Sequence, residues 1–197
     1  MCNDKNYSPY KKFIWLYLQY ANTIGGFMLF PRHDCSINQL RGMSDKIQDR
    51  FDLTLECIKR MYESGFFVVG NPLFDISAED KEFFKMFGDG KEGFKNYIDF
   101  FLLNSWVKED EEHHYYHVKN LLHTGENEDK ERNIQLLDNW DFNQKPLPQD
   151  ENEWWTFYRN IMDRLEARNK QIEELLREKC SEGELQELYN SLYLNKH

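Results

Sequence analysis

The C-terminal third of the chain carries the pattern that most constrains the fold. Seven positions recur there at alternating spacings of four and three, which predicts one long helix from about Asp150 to Lys179. The seven positions are Trp154, Tyr158, Ile161, Leu165, Arg168, Ile172 and Leu175. Together with the other helical patterns of the chain, this pattern favours a predominantly α fold.

Shorter helical patterns precede this long helix and one follows it. We expect helices at about 49–63, 78–87 and 91–106, each with apolar residues three or four positions apart. Ser181 and Glu184 have the spacing of a capping box, which predicts a terminal helix over about 181–193. With only 10 Gly and 5 Pro, a turn-rich sandwich of strands is disfavoured.

The predicted fold is therefore mainly α, a compact helical domain with one or two short strands and a long C-terminal helix. Phe27–Phe30 reads as a short buried strand that ends at a proline. The acidic segment at about 108–131 reads as solvated and mobile around one short element near 115–122. We expect a single domain over residues 1–197, with its core at about 10–180.

The charge of the chain is strongly acidic and unevenly distributed. Asp and Glu number 35 and Lys and Arg 25, for a net charge of −10, yet residues 1–60 carry a net charge of +3. A chain of this charge repels phosphate backbones on average, so general nucleic-acid coating is disfavoured. Any anion-binding surface is expected in the first third of the chain.

Residues 13–31 contain no charged side chain but do not read as a membrane span. The pair Gly25-Gly26 and several polar residues interrupt the run, which favours a soluble buried helix followed by a strand. The four cysteines, Cys2, Cys35, Cys57 and Cys180, are scattered and form no Cys-x-x-Cys pair. We therefore expect a reduced, cytoplasmic protein without a membrane segment.

Polar residues and arginines around the glycine turns of the first third are candidates for anion binding. Main-chain N–H groups at such turns, together with a nearby guanidinium, suit phosphate or carboxylate groups. The candidates are Asn22, Arg32, Asn38 and Arg41, joined by Arg168 and Asn169 of the long helix. The alternative is that Asn22 and Ser36 cap helices while the arginines pair with acids.

Arg168 occupies a seam position whose neighbours in the repeat are apolar. A buried guanidinium needs an acidic partner, an anionic ligand or a route to water. Pairing with Asp49, Asp52 or Asp99 and binding of a ligand are both open. The sharper hypothesis places Arg168, Arg32 and Arg41 in a common cleft.

The helix predicted at 49–63 carries a second candidate site. Asp49, Asp52 and Glu56 are three and four positions apart, so their carboxylates share a helix face on which they could hold Mg²⁺. The alternative is an exposed face on which neighbouring cations neutralise the acids. Those cations are Arg50, Lys59 and Arg60. Arg50 also joins the candidate ligand-binding residues.

His113 and His117 have the spacing of two metal ligands on a helix, with His123 beyond them. They lie in an acidic stretch and lack the glutamate of the catalytic zinc pattern, so no metal is predicted.

Three motifs make the chain resemble a bacterial family described only as a domain of unknown function. They are Asn-Thr-Ile-Gly-Gly-Phe-Met-Leu-Phe-Pro from position 22, Ser-Ile-Asn-Gln-Leu-Arg-Gly from 36 and Asp-Arg-Phe-Asp-Leu-Thr-Leu-Glu-Cys-Ile-Lys-Arg from 49. The resemblance covers most of 13–175. Compared with that family, we expect this chain to start late and its segment at about 108–140 to be longer and more acidic. The resemblance implies no reaction.

Two classes of function follow from these residues. The first is a binding or interaction module for an anionic ligand or partner that carries phosphate or carboxylate. The second is a divalent-metal-dependent hydrolase or nuclease that uses Asp49, Asp52 and Glu56. The first class is favoured because the three acids lack an accompanying histidine base or metal-ligand set, and it needs no cofactor.

Overall fold

In the computed structural model most of the described residues are helical, and the rest include one small sheet. The residues described are 14–19, 23–26, 50–65, 78–112, 115–122, 136–138 and 148–193. They group into two compact units, one formed by Met1–Phe27 with Asp163–His197 and the other by Met28–Met162. The predicted strand at 27–30 and the predicted short helix after Ser36 lie outside the described residues.

The elements confirm the mainly α prediction. Residues 14–19 are helical and Ile24–Gly26 form a 3-10 turn. The remaining elements are α1 Phe51–Glu63, α2 Ala78–Lys85, α3 Gly90–Phe100, a 3-10 turn Asn104–Trp106, β1 Val107–Asp110, β2 Tyr115–Val118, α4 Glu151–Lys179 and α5 Glu182–Tyr193. The predicted bounds of α1 and α4 agree with these to within two residues. The prediction that the whole chain folds as one domain stays a prediction.

Helix α1 is the centre of the Met28–Met162 unit and is buried on nearly every side. The aromatic rings of Phe84, Phe94 and Tyr97 surround Tyr62 at centroid distances of 6.1–6.4 Å. The Tyr62 hydroxyl donates to the carbonyl of Phe84 at 2.6 Å, which satisfies its buried polar atom. Helix α3 packs closely here because Gly93 has no Cβ that would meet this ring.

Helix α3 ends at Phe100, six residues before the predicted end, so that prediction is wrong. Leu102 has φ 54°, and the N–H of Leu103 donates to the carbonyl of Ile98 at 2.9 Å while that of Leu102 donates to Asp99 at 3.2 Å. This is a Schellman ending, in which a leucine takes the left-handed position that glycine usually fills. The sequence has no glycine at this position that would have predicted the end of the helix.

A two-stranded antiparallel sheet follows, with Val107 paired to Val118 and Asp110 to Tyr115. The predicted element near 115–122 is thus a strand, and its partner is formed by the beginning of the acidic segment. Lys119 bridges to Leu136, whose neighbour Leu137 donates its N–H to the carbonyl of Val118 at 3.0 Å. These pairings bring residues 136–138 beside the sheet.

Helix α4 follows its predicted seam only in part. Ile161, Leu165 and Arg168 are buried as expected, but Leu175 is 43% exposed. Phe157 is buried where the seam placed Tyr158, which is half-buried. The stripe therefore holds through the middle of the helix and fails at its C-terminal end.

The capping box that precedes α5 is confirmed. The N–H of Ser181 donates to the Glu184 carboxylate at 2.8 Å, and the N–H of Glu184 donates to Ser181 Oγ at 3.4 Å. The N–H and the hydroxyl of Ser181, which both donate to this carboxylate, hold the pKa of the Glu184 carboxyl below its ordinary value.

Among the helices in the described part of the chain, none is both long and apolar enough to cross a membrane.

Candidate functional site

The charged face of α1 is buried, which corrects the expectation of an exposed, salt-bridged face. Asp52 is fully buried, and its two carboxylate oxygens accept from Nε and Nη2 of Arg50 at 2.8 and 2.7 Å. The second oxygen also accepts the main-chain N–H of Leu121 at 2.9 Å. Charge pairing on this face was predicted, but its burial was not.

Glu56 is the second buried acid of α1 and lies between two cations. Its Oε1 accepts from Arg60 Nε at 2.6 Å, and its Oε2 lies 3.5 Å from Lys59 Nζ. Within the described residues Oε2 receives no hydrogen bond. Burial raises the pKa of the Glu56 carboxyl above its ordinary value, because it outweighs the lowering effect of the Lys59 and Arg60 charges.

The network continues to Asp138, which the sequence did not mark as a candidate. Buried Lys59 donates to one oxygen of Asp138, and His117 Nδ1 lies 2.8 Å from the other. Arg60 Nη2 donates to the main-chain carbonyls of Leu137 and Asp138 at 3.0 and 3.2 Å. Burial alone would raise the pKa of Asp138, but the hydrogen bonds and charges of Lys59 and His117 prevail and lower it.

His117 was considered only as a metal ligand, yet its partner in the structure is a carboxylate. The ring lies on β2, 25% exposed, with the ring of Tyr115 packed edge-on at 4.9 Å. Its Nε2 lies 3.9 Å from Asp110 on β1. Side chains alternate between the two faces of each strand. This alternation is the sequence signal that could have placed Asp110, Tyr115 and His117 on one face.

The Met1–Phe27 and Asp163–His197 unit contains two further candidates among the described residues, Arg168 and Asn169. Arg168 is 7% exposed, and its Nη1 donates to the main-chain carbonyl of Gly25 at 2.7 Å. Asn169 accepts the N–H of Gly25 at 2.8 Å and donates to the Thr23 hydroxyl at 2.8 Å. The two neighbouring side chains of α4 thus hold the turn at 23–26 through the N–H and the carbonyl of one residue, Gly25.

Gly25 is required for this close approach. A Cβ at this position would lie 2.5 Å from Asn169 Oδ1 and 3.1 Å from the carbonyl of Leu165. Gly25, one of the two glycines that the sequence pointed to, therefore allows two polar side chains of α4 to contact the turn. We call Gly25 with Arg168 and Asn169 the Gly25 seat.

Several predicted site residues cannot be placed against these clusters. Those outside the described residues are Asn22, Arg32, Asn38, Arg41 and Asp49. The hypothesis of a common cleft for Arg168, Arg32 and Arg41 thus stays a hypothesis. The structure places Arg50, Asp52 and Glu56 in one unit and Arg168 with Asn169 in the other.

The described part of the chain contains no group of three or more His, Cys, Asp or Glu that could hold a metal ion. Asp52 and Glu56, the two described members of the proposed metal trio, are engaged by arginine and lysine instead.

A groove of about 670 Å³ lies where α4 meets α5. Its lining includes Glu173, Leu176, Arg177 and Leu185. It contains no residue that the sequence marked as functional.

Comparison with known families places both clusters inside one matched region. A family model described as a family of unknown function, DUF6994, matches residues 7–172. The chain belongs to this family. No curated protein and no solved structure matches it. Both the α1 network and the Gly25 seat lie within the DUF6994 region, whereas α5 lies beyond it.

Proposed function

We propose that this DUF6994 chain is a binding module for an anionic ligand or partner that carries phosphate or carboxylate. The observation that carries the proposal is the guanidinium of Arg168, which is buried beside the 23–26 turn and donates through Nη1 to the Gly25 carbonyl. A guanidinium has five N–H donors and keeps its charge at any ordinary pH. Its fork suits the oxygens of a planar carboxylate or a tetrahedral phosphate.

The seat around Gly25 supports the same role. Asn169 and Arg168 fix the 23–26 turn through three hydrogen bonds to Gly25 and Thr23. A rigid seat reduces the conformational entropy that is lost when a ligand binds. This turn lies within residues 1–60, whose net charge of +3 favours an anion over a cation.

The composition of the chain bears on the class of ligand and on the cellular compartment. The acidic net charge disfavours general coating of nucleic acids, so the ligand is a small anion or an acidic group on a partner. Cys57 and Cys180 are free thiols, which fits a reduced, cytoplasmic setting.

Titration with small anions tests the proposal. Phosphate, pyrophosphate, ATP and citrate are added to the whole chain in thermal-shift assays, and calorimetry gives Kd for each anion that shifts Tm. A ligand at 100 times its Kd adds about 2.7 kcal/mol to stability. We expect Arg168→Lys to weaken binding by about tenfold or more, because one ammonium cannot replace a forked donor.

Arg177→Lys is the matched control, since Arg177 is an exposed arginine of the same helix that pairs with Glu173. It should bind like wild type. If Arg168→Lys lowers Tm but leaves Kd unchanged, Arg168 is only an anchor for the turn and the proposal fails. It also fails if no anion raises the Tm of the wild-type chain.

The alternative function, a divalent-metal-dependent hydrolase or nuclease using Asp49, Asp52 and Glu56, has weaker support. A metal ion at Asp52 would have to displace two hydrogen bonds from Arg50 and one from Leu121. At Glu56 it would compete with Lys59 and Arg60.

A further inference from the structure

The helix at residues 14–19 carries a cluster of exposed apolar side chains. Ile14, Trp15 and Leu18 are each more than 40% exposed, whereas Tyr17 is buried. At 3.6 residues per turn, the three exposed side chains lie within about 100° of one another around the helix. Trp15 makes no aromatic ring contact with the described part of the chain. We call Ile14, Trp15 and Leu18 the Trp15 face.

The exposed apolar side chains are concentrated in one of the two units. Among the described residues, six large apolar side chains are exposed, and four of them belong to the Met1–Phe27 and Asp163–His197 unit. These four are the Trp15 face and Leu175 of α4. Single exposed apolar residues are ordinary on a protein surface, but three within five positions on one side of a helix form a patch of the kind that a partner covers.

Charge distinguishes the two units. Residues 1–27 and 163–197 contain nine Asp or Glu and nine Lys or Arg, so the unit that holds the Trp15 face has a net charge of zero. Residues 28–162 therefore carry the whole net charge of −10. Two copies of the chain that met through the acidic unit would repel each other, whereas contact through the neutral unit is free of this repulsion.

Exposed charges of α4 in the neutral unit are also paired with one another. Lys170 Nζ lies 3.1 Å from the Glu166 carboxylate, and Arg177 Nη2 lies 2.7 Å from that of Glu173. The unit thus combines exposed apolar side chains with balanced charge. A second copy of the same unit complements this surface better than a strongly charged partner, such as a nucleic acid or an anionic membrane, would.

We infer that the chain forms a homodimer through the Trp15 face, with the neutral unit of a second copy as its partner. In a two-fold dimer both copies use the same patch, so each interface contains two copies of Trp15. Tryptophan is enriched among the residues that dominate binding energy. A standard interface buries about 800 Å² per partner, which is more than three side chains supply, so other residues of the neutral unit contribute the rest.

The homodimer goes beyond the proposed anion binding and does not depend on it. Arg168 and Asn169 hold the 23–26 turn, and no residue of the Trp15 face belongs to the Gly25 seat. A monomeric chain could still bind anions at Arg168, and a dimeric chain could fail to do so. The two proposals therefore fail in different experiments.

Sedimentation equilibrium of the whole chain tests the inference, at protein concentrations from about 1 to about 200 µM. We expect the mass to rise from the chain mass of 24.0 kDa to twice that value within or below this range. Trp15→Ser should raise Kd of the dimer by about tenfold or more, because the variant removes two tryptophan side chains from each interface. Circular dichroism checks the helix content of each variant, and Leu18→Ser serves as the second variant if Trp15→Ser loses its fold.

Phe100→Ser is the matched control. Phe100 is 67% exposed, like Trp15 a large exposed aromatic residue, but it belongs to the acidic unit and its ring packs against Phe87 and Phe101 at 5.2 and 5.0 Å. Phe100→Ser should therefore leave Kd of the dimer close to the wild-type value.

Three results would overturn the inference. The first is a wild-type chain that keeps the mass of one chain up to about 200 µM, which would leave the Trp15 face to a different protein. The second is a folded Trp15→Ser or Leu18→Ser variant that dimerises like wild type. The third is a Phe100→Ser variant that loses as much affinity as Trp15→Ser, since the contact would then lie in the acidic unit.

Discussion

The substitution Asp52→Ala measures what the buried pair on α1 does for stability. It removes both hydrogen bonds from Arg50, whose side chain stays in a site where it is almost fully buried, and leaves the N–H of Leu121 without its acceptor. Breaking a buried pair costs about 3–5 kcal/mol, as much as deleting the side chain of a core leucine. We expect a loss of that size from a total stability of about 5–15 kcal/mol.

Urea unfolding followed by far-ultraviolet circular dichroism gives the loss from the shift of the midpoint. Asp99→Ala is the matched control, because Asp99 pairs with Lys95 at 2.6 Å with both side chains more than 40% exposed. It should cost less than about 1 kcal/mol. If Asp52→Ala costs no more than Asp99→Ala, the reasoning from burial is refuted.

The double variant Arg50→Met with Asp52→Leu distinguishes the effect of an unpaired buried charge from the effect of lost side-chain volume. Replacing a buried pair with apolar residues of similar volume is often neutral or stabilising, so it should recover most of the loss. A double variant as unstable as Asp52→Ala would show that the hydrogen bond to Leu121, and not the charge of Arg50, accounts for the loss.

Four other substitutions have expected outcomes. Gly93→Ala should destabilise the fold by about 1–3 kcal/mol although alanine has the better helix propensity, because the new Cβ would lie 2.6 Å from the carbonyl carbon of Gly88. Gly183 has open space around it, so Gly183→Ala should gain up to about 1 kcal/mol in the same urea assay. Glu56→Gln should gain stability relative to wild type as pH rises above 4.5, because a raised pKa means that ionisation of Glu56 opposes folding. Asp138→Asn should cost most at neutral pH and progressively less as pH falls below 3.8, because a lowered pKa means that ionisation of Asp138 favours folding; an unchanged cost at low pH would contradict this.

The elements of the fold were predictable where local periodicity sets them. The apolar stripe of α1 and the middle of α4 are buried as their spacings predict. The end of α3 was not predictable, because the chain reverses at Leu102 without the glycine that usually marks such a turn. Burial of Phe101 and Leu103 on either side stabilises this position instead.

The sequence predicts the ion pairs of α1 but not the burial of the side chains that form them. Each acid of α1 has a cation within four positions, so local pairing follows from the sequence. Burial depends on Leu121 and Asp138, about 70 to 80 residues later, which approach α1 only through the pairing of β2 with its neighbours. No local pattern in α1 carries that information.

The charged network of α1 extends from Arg50 and Asp52, which are buried, to His117 and Asp138, which are partly exposed. Arg50 and Asp52 have no exposed surface to offer a ligand, so their contribution is confined to stability. Asp138 and His117 are each exposed by about a quarter, and Lys59 joins them to the buried part. Removing one partner of a buried pair costs more stability than removing a partly exposed charge. Substitutions at the buried end should therefore lower the urea midpoint by more than His117→Gln does.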